Sequence, residues 1–212
     1  MSTKWLDMSL RDFQSALASS SPTPGGGTAA AVALGQASAL TLMVCDLTIG
    51  KEKWSEGWPI AEKAVMSAIR IMSRAGDLAD EDSDSFEQVM NSFKLPKNDQ
   101  EEIQKRRNEI RNCTLVAAEV PFETATMALE LMEILPELAK KGNSNAVSDV
   151  GVAGLLASAA CKGALFNVQI NLDSLPEEMG AELRSKVPEI QERSRIISRE
   201  IMDEVRAIIG ND

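Results

Sequence analysis

Two long segments built largely from small apolar residues constrain the fold more than any other feature of this sequence. The first runs from Thr28 to Cys45 and is rich in alanine; the second runs from Gly151 to Leu172 and is rich in alanine and glycine. Neither shows the alternation of apolar and polar residues that is typical of a half-buried strand. Because helices of small residues let neighbouring backbones approach closely, we expect both segments at the centre of the protein or at a subunit interface.

The rest of the chain also has helical periodicity, and no segment has convincing strand periodicity. The sequence therefore predicts one all-α domain over residues 1–212, a multihelical array with two central small-residue-rich helices. Capping residues and prolines mark the expected helix boundaries. They are Ser9 and Asn98 as N-caps, Gly50 as a stop, Pro59 as a start, Pro121 as a start or kink, Ser148 as an N-cap and Pro188 as a restart.

The charge and cysteine content bound the partners and the compartment. The formal net charge is −10, which argues against nucleic acid or an anionic membrane as a partner. Polar residues such as Gln36 and Lys162 interrupt the two apolar segments, so we expect buried helices of a soluble protein. The three cysteines lie far apart, and charges interrupt the N-terminal stretch. We therefore expect a reduced, cytoplasmic, unsecreted protein.

The sequence contains no histidine and no tyrosine. This excludes serine–histidine and cysteine–histidine catalysis, and it excludes zinc bound by histidine. Any chemistry must use carboxylates, lysine, arginine, hydroxyls, amides or the backbone.

A glycine loop, Gly25 to Gly27, precedes the first small-residue segment. It lacks the lysine of a phosphate-binding P-loop, and its match to a dinucleotide motif lacks the strand that should come before it. Consecutive glycines at a helix start let a ligand approach backbone amides. The alternative is a tight turn into a buried helix.

An acidic stretch, "DLADEDSDSFE", contains six carboxylates and no basic residue. Asp80, Asp82 and Asp84 imitate the start of a calcium loop, but Ser85 and Asn91 occupy the positions that require glycine and glutamate. Like charges three and four residues apart on a helix repel each other. Either a cationic ligand is held here, or the stretch is a solvated helix face.

Three further groups of polar residues are candidates for ligand binding. The loop "GNSNAVSD" and the segment "FNVQIN" bring amides into or beside apolar helices, where buried amides need partners. Turn formation and complementation of a helix dipole are adequate explanations for the loop residues taken singly. Two lysines follow the first apolar helix, either on the surface or holding a substrate carboxylate. The residues are Asn143, Asn145, Ser148, Asp149, Asn167, Asn171, Lys51 and Lys53.

Five blocks in this order resemble the C-terminal family of formiminotransferase-cyclodeaminases, which includes methenyltetrahydrofolate cyclohydrolases. They are "PTPGGGTAAAVALGQASALTLMVCDLTIGKEKW", "DEDSDSFEQVMNSFKLPK", "VPFETA", "GNSNAVSDVGVAG" and "LFNVQINL". The resemblance covers about residues 5 to 210. It implies an all-α homodimer that binds a tetrahydrofolate derivative as substrate and needs no metal or prosthetic group.

The resemblance also implies roles for the candidate residues. Asp82, with Asp80 or Asp84 nearby, would balance a cationic amidinium and help to activate water, and Asp149 is a second acid–base candidate. Lys51 would hold the glutamate tail or transfer a proton, with Lys53 beside it. The glycines would line the folate, and Asn143, Asn145, Asn167, Asn171 and Ser148 would bind the pterin or orient water.

Two activities and one alternative of another class are open at this point. A cyclohydrolase adds water to 5,10-methenyltetrahydrofolate and gives 10-formyltetrahydrofolate, whereas a cyclodeaminase closes 5-formiminotetrahydrofolate and releases ammonia. We favour the cyclohydrolase because no formiminotransferase domain is present in this sequence. A non-catalytic helical scaffold or folate-binding protein is the third possibility.

Overall fold

Six α-helices make up most of residues 4–210, the part of the chain described by this computed structural model. No strand occurs within that part, which confirms the predicted all-α class. The helices are α1 (Leu10–Leu17), α2 (Gly26–Thr48), α3 (Trp58–Ser92), α4 (Gln100–Lys141), α5 (Val147–Asp173) and α6 (Ala181–Ile209).

Helices α2 to α5 form a bundle in which each packs against two neighbours. Helices α2 and α4 both contact α3 and α5, and α6 covers the side formed by α4 and α5. The two small-residue segments are α2 and α5, and they pack against each other: a Cβ added at Gly163 would lie 3.6 Å from the Cβ of Ala30. Both helices contribute many fully buried residues to the core, so their predicted central position is confirmed.

By length and composition alone, α2 and the segment Ser144–Asp173 are apolar enough to cross a membrane. About half of the most apolar window of each is buried inside the protein, 50% and 56% respectively. Core helices of bundles share this property.

Close helix packing also explains one glycine of α5. A Cβ on Gly154 would lie 2.7 Å from Cγ2 of Ile201 on α6, closer than real Cβ contacts. The absence of a side chain at this position therefore sets the separation of α5 and α6.

The predicted helix boundaries are correct at the start of the chain. Ser9 caps α1 and its side chain accepts from the N–H of Asp12. Helix α2 ends one residue before Ile49, and the following Gly50 has φ +75°, a conformation that favours glycine. Pro59 lies in the first turn of α3, where its missing N–H costs nothing.

Three predicted boundaries are wrong, and of the two alternatives for Pro121, a helix start or a kink, the start is wrong. Asp99 rather than Asn98 caps α4, and its side chain accepts from the N–H of Glu102. Ser148 lies inside α5, whose N-cap is Ala146. Pro121 and Pro188 lie inside α4 and α6 without ending them. Long apolar faces that pack over the whole length of the bundle outweigh the local cost of these prolines.

Ion pairs join α3 to α4 beside the acidic stretch. The Arg74 guanidinium donates to Glu123 at 2.7 Å and to Glu81 at 2.5 Å, and Arg70 pairs with Glu130. The hydrogen bond from Arg74 lowers the pKa of the Glu123 carboxyl. The Arg74–Glu81 pair lies within α3, whereas the pairs with Glu123 and Glu130 cross to α4 and mainly fix the relative position of the two helices.

Candidate active site

A cavity of about 250 Å³ lies at the end of the bundle where α2 begins. The glycine loop, α3, α4 and α5 each contribute to its wall. Its lining contains a single carboxylate and, within the described part of the chain, no basic side chain. The lining residues are Pro22, Thr23, Gly25, Gly26, Gly27, Asp82, Ser85, Phe86, Val89, Ala117, Asn167, Ile170 and Asn171.

The Asp82 carboxylate packs directly against the glycine loop. It accepts hydrogen bonds from Thr28, both from the hydroxyl, with Oγ1 to Oδ2 at 3.0 Å, and from the backbone N–H. A Cβ on Gly27 would lie 2.1 Å from Asp82 Oδ1, so only glycine lets the carboxylate occupy this place. The carboxylate thus caps the N-terminus of α2 from a neighbouring helix, a favourable place for negative charge.

A chain of hydrogen bonds continues from Asp82 to the N-terminal segment. The Thr28 and Ser83 hydroxyl oxygens are 3.1 Å apart, and Trp5 Nε1 donates to Ser83 Oγ at 3.0 Å. Because the single Thr28 hydroxyl proton goes to Asp82, Ser83 must donate to Thr28. All the donors in this chain therefore point towards the carboxylate.

Burial is the main influence on the proton affinity of Asp82. It raises the pKa of the carboxyl above the ordinary value, and the hydrogen bonds from Thr28 act in the opposite direction. A carboxyl with a raised pKa is a better proton acceptor when ionised than a free one, which is a common property of catalytic carboxylates.

Two asparagines of α5 face the same cavity, and both use their Nδ2 atoms on backbone carbonyls. Asn167 donates to the carbonyl of Gly163 at 2.9 Å, and Asn171 donates to that of Ala117 at 2.7 Å. The Oδ1 atoms take no hydrogen bond among the described residues and can therefore accept one from a ligand. Together with Asp82 they make the cavity a set of acceptors, suited to a cation or to N–H groups.

The glycine loop adds donors to one wall. Gly26 and Gly27 lie in the first turn of α2, where N–H groups have no acceptor within the helix. Both residues line the cavity, as does Gly25.

The acidic stretch is divided among different surroundings, so it does not act as one site. Asp80 accepts from the backbone N–H of Trp5 at 2.9 Å, Glu81 pairs with Arg74, and Asp84 is exposed. Asp80 and Asp84 line a second cavity of about 240 Å³, which Thr23 separates from the first. Within residues 4–210 no group of three or more cysteine or acidic side chains is arranged to hold a metal ion.

The other predicted site residues lie at the opposite end of the bundle. Helix α2 has 23 residues. At about 1.5 Å per residue it separates the two ends by about 35 Å. A single chain therefore does not bring these residues to the cavity with Asp82, contrary to the expectation of one shared site. They are Lys51, Lys53, Asn143, Asn145, Ser148 and Asp149.

Asn143 has a structural place at that end. Its backbone N–H donates to Thr48 Oγ1, its Nδ2 donates to the carbonyl of Leu47, and its Oδ1 accepts from Asn145. These bonds join the end of α2 to the start of α5. They leave little capacity for a ligand, whereas Asp149 is half-buried and Lys51 is exposed.

Sequence reasoning missed Thr28, Ser83 and Phe86. The two hydroxyl residues gave no distinctive signal, since Ser and Thr are common in helices and their contact joins positions 55 residues apart. Phe86 is 39% exposed at the cavity edge. An exposed aromatic residue within an acidic stretch is a signal that could have been used.

Comparisons with known proteins show the family of this chain. The family described as Formiminotransferase-cyclodeaminase matches residues 9–189. A methenyltetrahydrofolate cyclohydrolase from Methylorubrum extorquens is 36% identical over 84% of this chain and 85% of its own length. A formimidoyltransferase-cyclodeaminase from Rattus norvegicus is 31% identical over 82% of this chain, which spans only 32% of that protein. The crystal structure of a formiminotetrahydrofolate cyclodeaminase from Thermotoga maritima has a TM-score of 0.79 at 28% identity and covers 96% of both chains.

Proposed function

This chain belongs to the formiminotransferase-cyclodeaminase family, and on that premise we propose that it is an enzyme that hydrolyses 5,10-methenyltetrahydrofolate to 10-formyltetrahydrofolate. The observation that carries the proposal is the cavity with one half-buried carboxylate and two amide oxygens as acceptors. The substrate is a cation whose charge is spread over N5, the bridging carbon and N10. A site made of acceptors favours such a cation over neutral competitors.

The proposed reaction begins with attack of water on the bridging carbon. The Asp82 carboxylate accepts a proton from that water, which leaves a tetrahedral carbon bonded to hydroxyl, N5 and N10. The bond from carbon to N5 then breaks, N5 takes up a proton, and the hydroxyl proton is released to solvent as the formyl carbonyl forms on N10. Asp82 is placed to return its proton, so one carboxyl serves both steps.

The cavity volume limits which part of the folate is enclosed. About 250 Å³ is slightly less than the range of about 300–1,000 Å³ that is typical of pockets for small molecules. We therefore propose that the pterin end is enclosed and the remainder extends past Phe86 and Ile170, which are exposed at the edge.

Cyclodeamination of 5-formiminotetrahydrofolate is the second candidate. The likeness to the Thermotoga maritima cyclodeaminase over nearly the whole chain favours it. The identity of 36% to the Methylorubrum extorquens cyclohydrolase, against 31% to the rat bifunctional protein and 28% to the Thermotoga maritima cyclodeaminase, favours hydrolysis. Both reactions pass through the same kind of tetrahedral carbon, so the same cavity serves either.

Two assays decide between the activities. The purified protein is mixed with 5,10-methenyltetrahydrofolate and the loss of its near-ultraviolet absorbance is followed; it is then offered 5-formiminotetrahydrofolate and ammonia is measured. We expect fast decay in the first assay. Decay no faster than in buffer would overturn the cyclohydrolase proposal, ammonia release would support the second candidate, and failure of both would favour a scaffold or a folate-binding protein.

We also propose that two copies of the chain pair through an exposed apolar stripe on α5. Val152, Leu155, Phe166 and Ile170 lie on one face of this helix, and Phe166 and Ile170 are 67% and 70% exposed. Lys162 interrupts the stripe, and the neighbouring helix α2 exposes Met43 and Leu47. Exposed apolar surface of this kind is typical of an interface.

Symmetric pairing through this stripe would give a role in the site to Asp149, which lies at the far end of the bundle in its own chain. A two-fold axis near the middle of the stripe makes the two α5 helices antiparallel, so that the partner's Val152 lies opposite Ile170. The partner's Asp149 then approaches the cavity of the first chain. The two groups of predicted site residues would thus meet between chains.

Replacing Leu155 by Glu should convert the dimer to a monomer and lower kcat/KM by at least about 10-fold, since an ionised side chain is costly in an apolar interface. Light scattering after size exclusion measures the first effect. The matched control is Met66→Glu, which changes a 74% exposed residue of α3 outside the stripe and should leave the mass unchanged. A Leu155→Glu protein that remains dimeric would contradict the interface, and a fully active monomer would contradict the shared site.

The three cysteines support a proposal about the compartment. Cys45, Cys113 and Cys161 are free thiols, and burial raises the pKa of Cys161 to about 11. We propose that the protein works in the reducing cytoplasm, which subcellular fractionation with a specific antibody would test.

A further inference from the structure

One helix proline leaves a backbone carbonyl beside the cavity without its usual donor. Pro121 is buried in α4 and belongs to the block "VPFETA", for which the proposed chemistry has no use. A proline has no N–H, so the carbonyl four residues earlier, that of Ala117, loses its helical hydrogen bond. Asn171 Nδ2 on α5 donates to this carbonyl at 2.7 Å and replaces the missing bond.

The other two prolines inside helices provide a contrast. Pro136 in α4 and Pro188 in α6 free the carbonyls of Met132 and Arg184 in the same way. Neither carbonyl receives a side-chain hydrogen bond from any residue in the range 4–210. Of these three carbonyls that lack a helical donor, only that of Ala117 accepts a hydrogen bond from a side chain, and Ala117 is a residue that lines the cavity.

The hydrogen bond fixes which atom of Asn171 faces a ligand. If the amide were rotated by half a turn, Oδ1 would meet the Ala117 carbonyl oxygen, and two acceptors repel each other. With Nδ2 held by Ala117, Oδ1 is presented as an acceptor. Pro121 does not line the cavity itself, so its effect on a ligand must act through Asn171.

We propose that Pro121 is a positioning residue: by freeing the carbonyl of Ala117, it orients the Asn171 amide so that Oδ1 accepts a hydrogen bond from the pterin or from the attacking water. The proposal deepens the proposed function and rests on it for its kinetic test. The orientation of Asn171 can also be measured without a substrate.

Replacing Pro121 by Ala restores the N–H and lets the Ala117 carbonyl turn back into the helix. We expect kcat/KM to fall between about 5- and 50-fold, since misplacement of a binding group by about 1 Å can cost up to about 100-fold. Pro136→Ala, the same change in the same helix, should leave kcat/KM within about 2-fold of the wild type. Thermal unfolding of both variants reports any change in stability.

A double-mutant cycle distinguishes positioning from general disturbance of α4. If Pro121 acts through Asn171, then Pro121→Ala should have no further effect on kcat/KM in a protein that already carries Asn171→Ala. The same additional loss in both backgrounds would overturn the proposal, and so would an unchanged kcat/KM in the single variant.

Nuclear magnetic resonance of the Asn171 side-chain amide measures its orientation without a substrate. One Hδ2 proton of Asn171 should be shifted downfield and slow to exchange in the wild type and in Pro136→Ala, but not in Pro121→Ala. An unchanged signal in Pro121→Ala would overturn the inference even with full activity of the wild type. Inactivity of the wild type on both folates would overturn the proposed function alone, because this signal would still report the orientation.

Discussion

Replacing Asp82 by Asn should lower kcat for the methenyl folate by about 10²–10⁴-fold, the usual contribution of a general acid–base group. Asparagine has nearly the same shape and can still accept from the Thr28 hydroxyl, so the cavity should keep its form. What is lost is the negative charge that balances the substrate and the ability to take a proton from water. Stopped-flow absorbance gives kcat, and circular dichroism verifies the helices.

The matched control is Asp77→Asn. Asp77 lies on the same helix and is exposed, with only a 4.0 Å contact to Lys4. This variant removes the same charge from the chain without touching the cavity, and its kcat should equal that of the wild type. Equal activity of Asp82→Asn and wild type would remove Asp82 from the catalytic group.

Stability should respond to Asp82→Asn in the opposite sense to activity. Burial raises the pKa of Asp82 in the folded state, so the ionised carboxylate lowers the free energy of unfolding at pH values above that pKa. The neutral amide removes this cost. The midpoint of thermal unfolding at neutral pH should therefore stay the same or rise, and a clear fall would indicate that capping of α2 by the carboxylate outweighs the cost of burying its charge.

The same raised pKa predicts how the rate depends on pH. If ionised Asp82 is the base, kcat/KM should rise with pH through the raised pKa and then level off. This acidic limb should disappear in Asp82→Asn. An identical limb in that variant would assign it to another group.

Replacing Gly27 by Ala should lower kcat by at least about 10²-fold, a loss similar to that expected for Asp82→Asn. Misplacement of a reacting group by about 1 Å is enough for a loss of that size. The new Cβ would lie 2.1 Å from Asp82 Oδ1, so the carboxylate must leave its place against Thr28. Overpacking typically costs about 1–3 kcal/mol, so the free energy of unfolding should fall as well. Urea unfolding and the absorbance assay measure the two effects.

Gly35→Ala is the control for this variant. It makes the same change in the same helix, but the new Cβ would have an ordinary contact of 3.7 Å with Ala75. Activity should be unchanged, and stability should rise by up to about 1 kcal/mol because alanine is the better helix residue. If the Gly27→Ala protein had normal activity, the close approach of Asp82 to the glycine loop would not matter for catalysis.

The sequence predicted those site residues whose type is unusual for the segment of the sequence in which they occur. Glycines at a helix start, asparagines in an apolar helix and an aspartate among repelling charges all stand out, and the structure brings Gly27, Asn167, Asn171 and Asp82 to one cavity. Their roles stay predictions. Thr28 and Ser83 could not be found in this way, since neither residue type is unusual in a helix.

The sequence misled where long-range packing overrides local preference. Pro121 is a normal sign of a helix boundary, yet it lies near the middle of α4, a helix of 42 residues. The loop with Asp149 also carried several polar signals, but sequence alone does not show that α2 places this loop and the acidic stretch at opposite ends of the bundle. The distance between two motifs depends on how the helices are arranged, and hydrophobic periodicity predicts helices without predicting their arrangement.

The alanine-rich contact between α2 and α5 has a consequence for which mutations the protein tolerates. A core of large side chains loses most when a residue is made smaller, because a cavity remains. Ala37, Ala153 and Ala157 are fully buried, and their side chains are too small for truncation to leave a cavity. Enlargement is the damaging change here, since no side-chain rotation can relieve it and a whole helix must shift. Random mutagenesis should therefore show the reverse of the usual core pattern along these two helices, and variants that enlarge them should lose activity before they lose their fold.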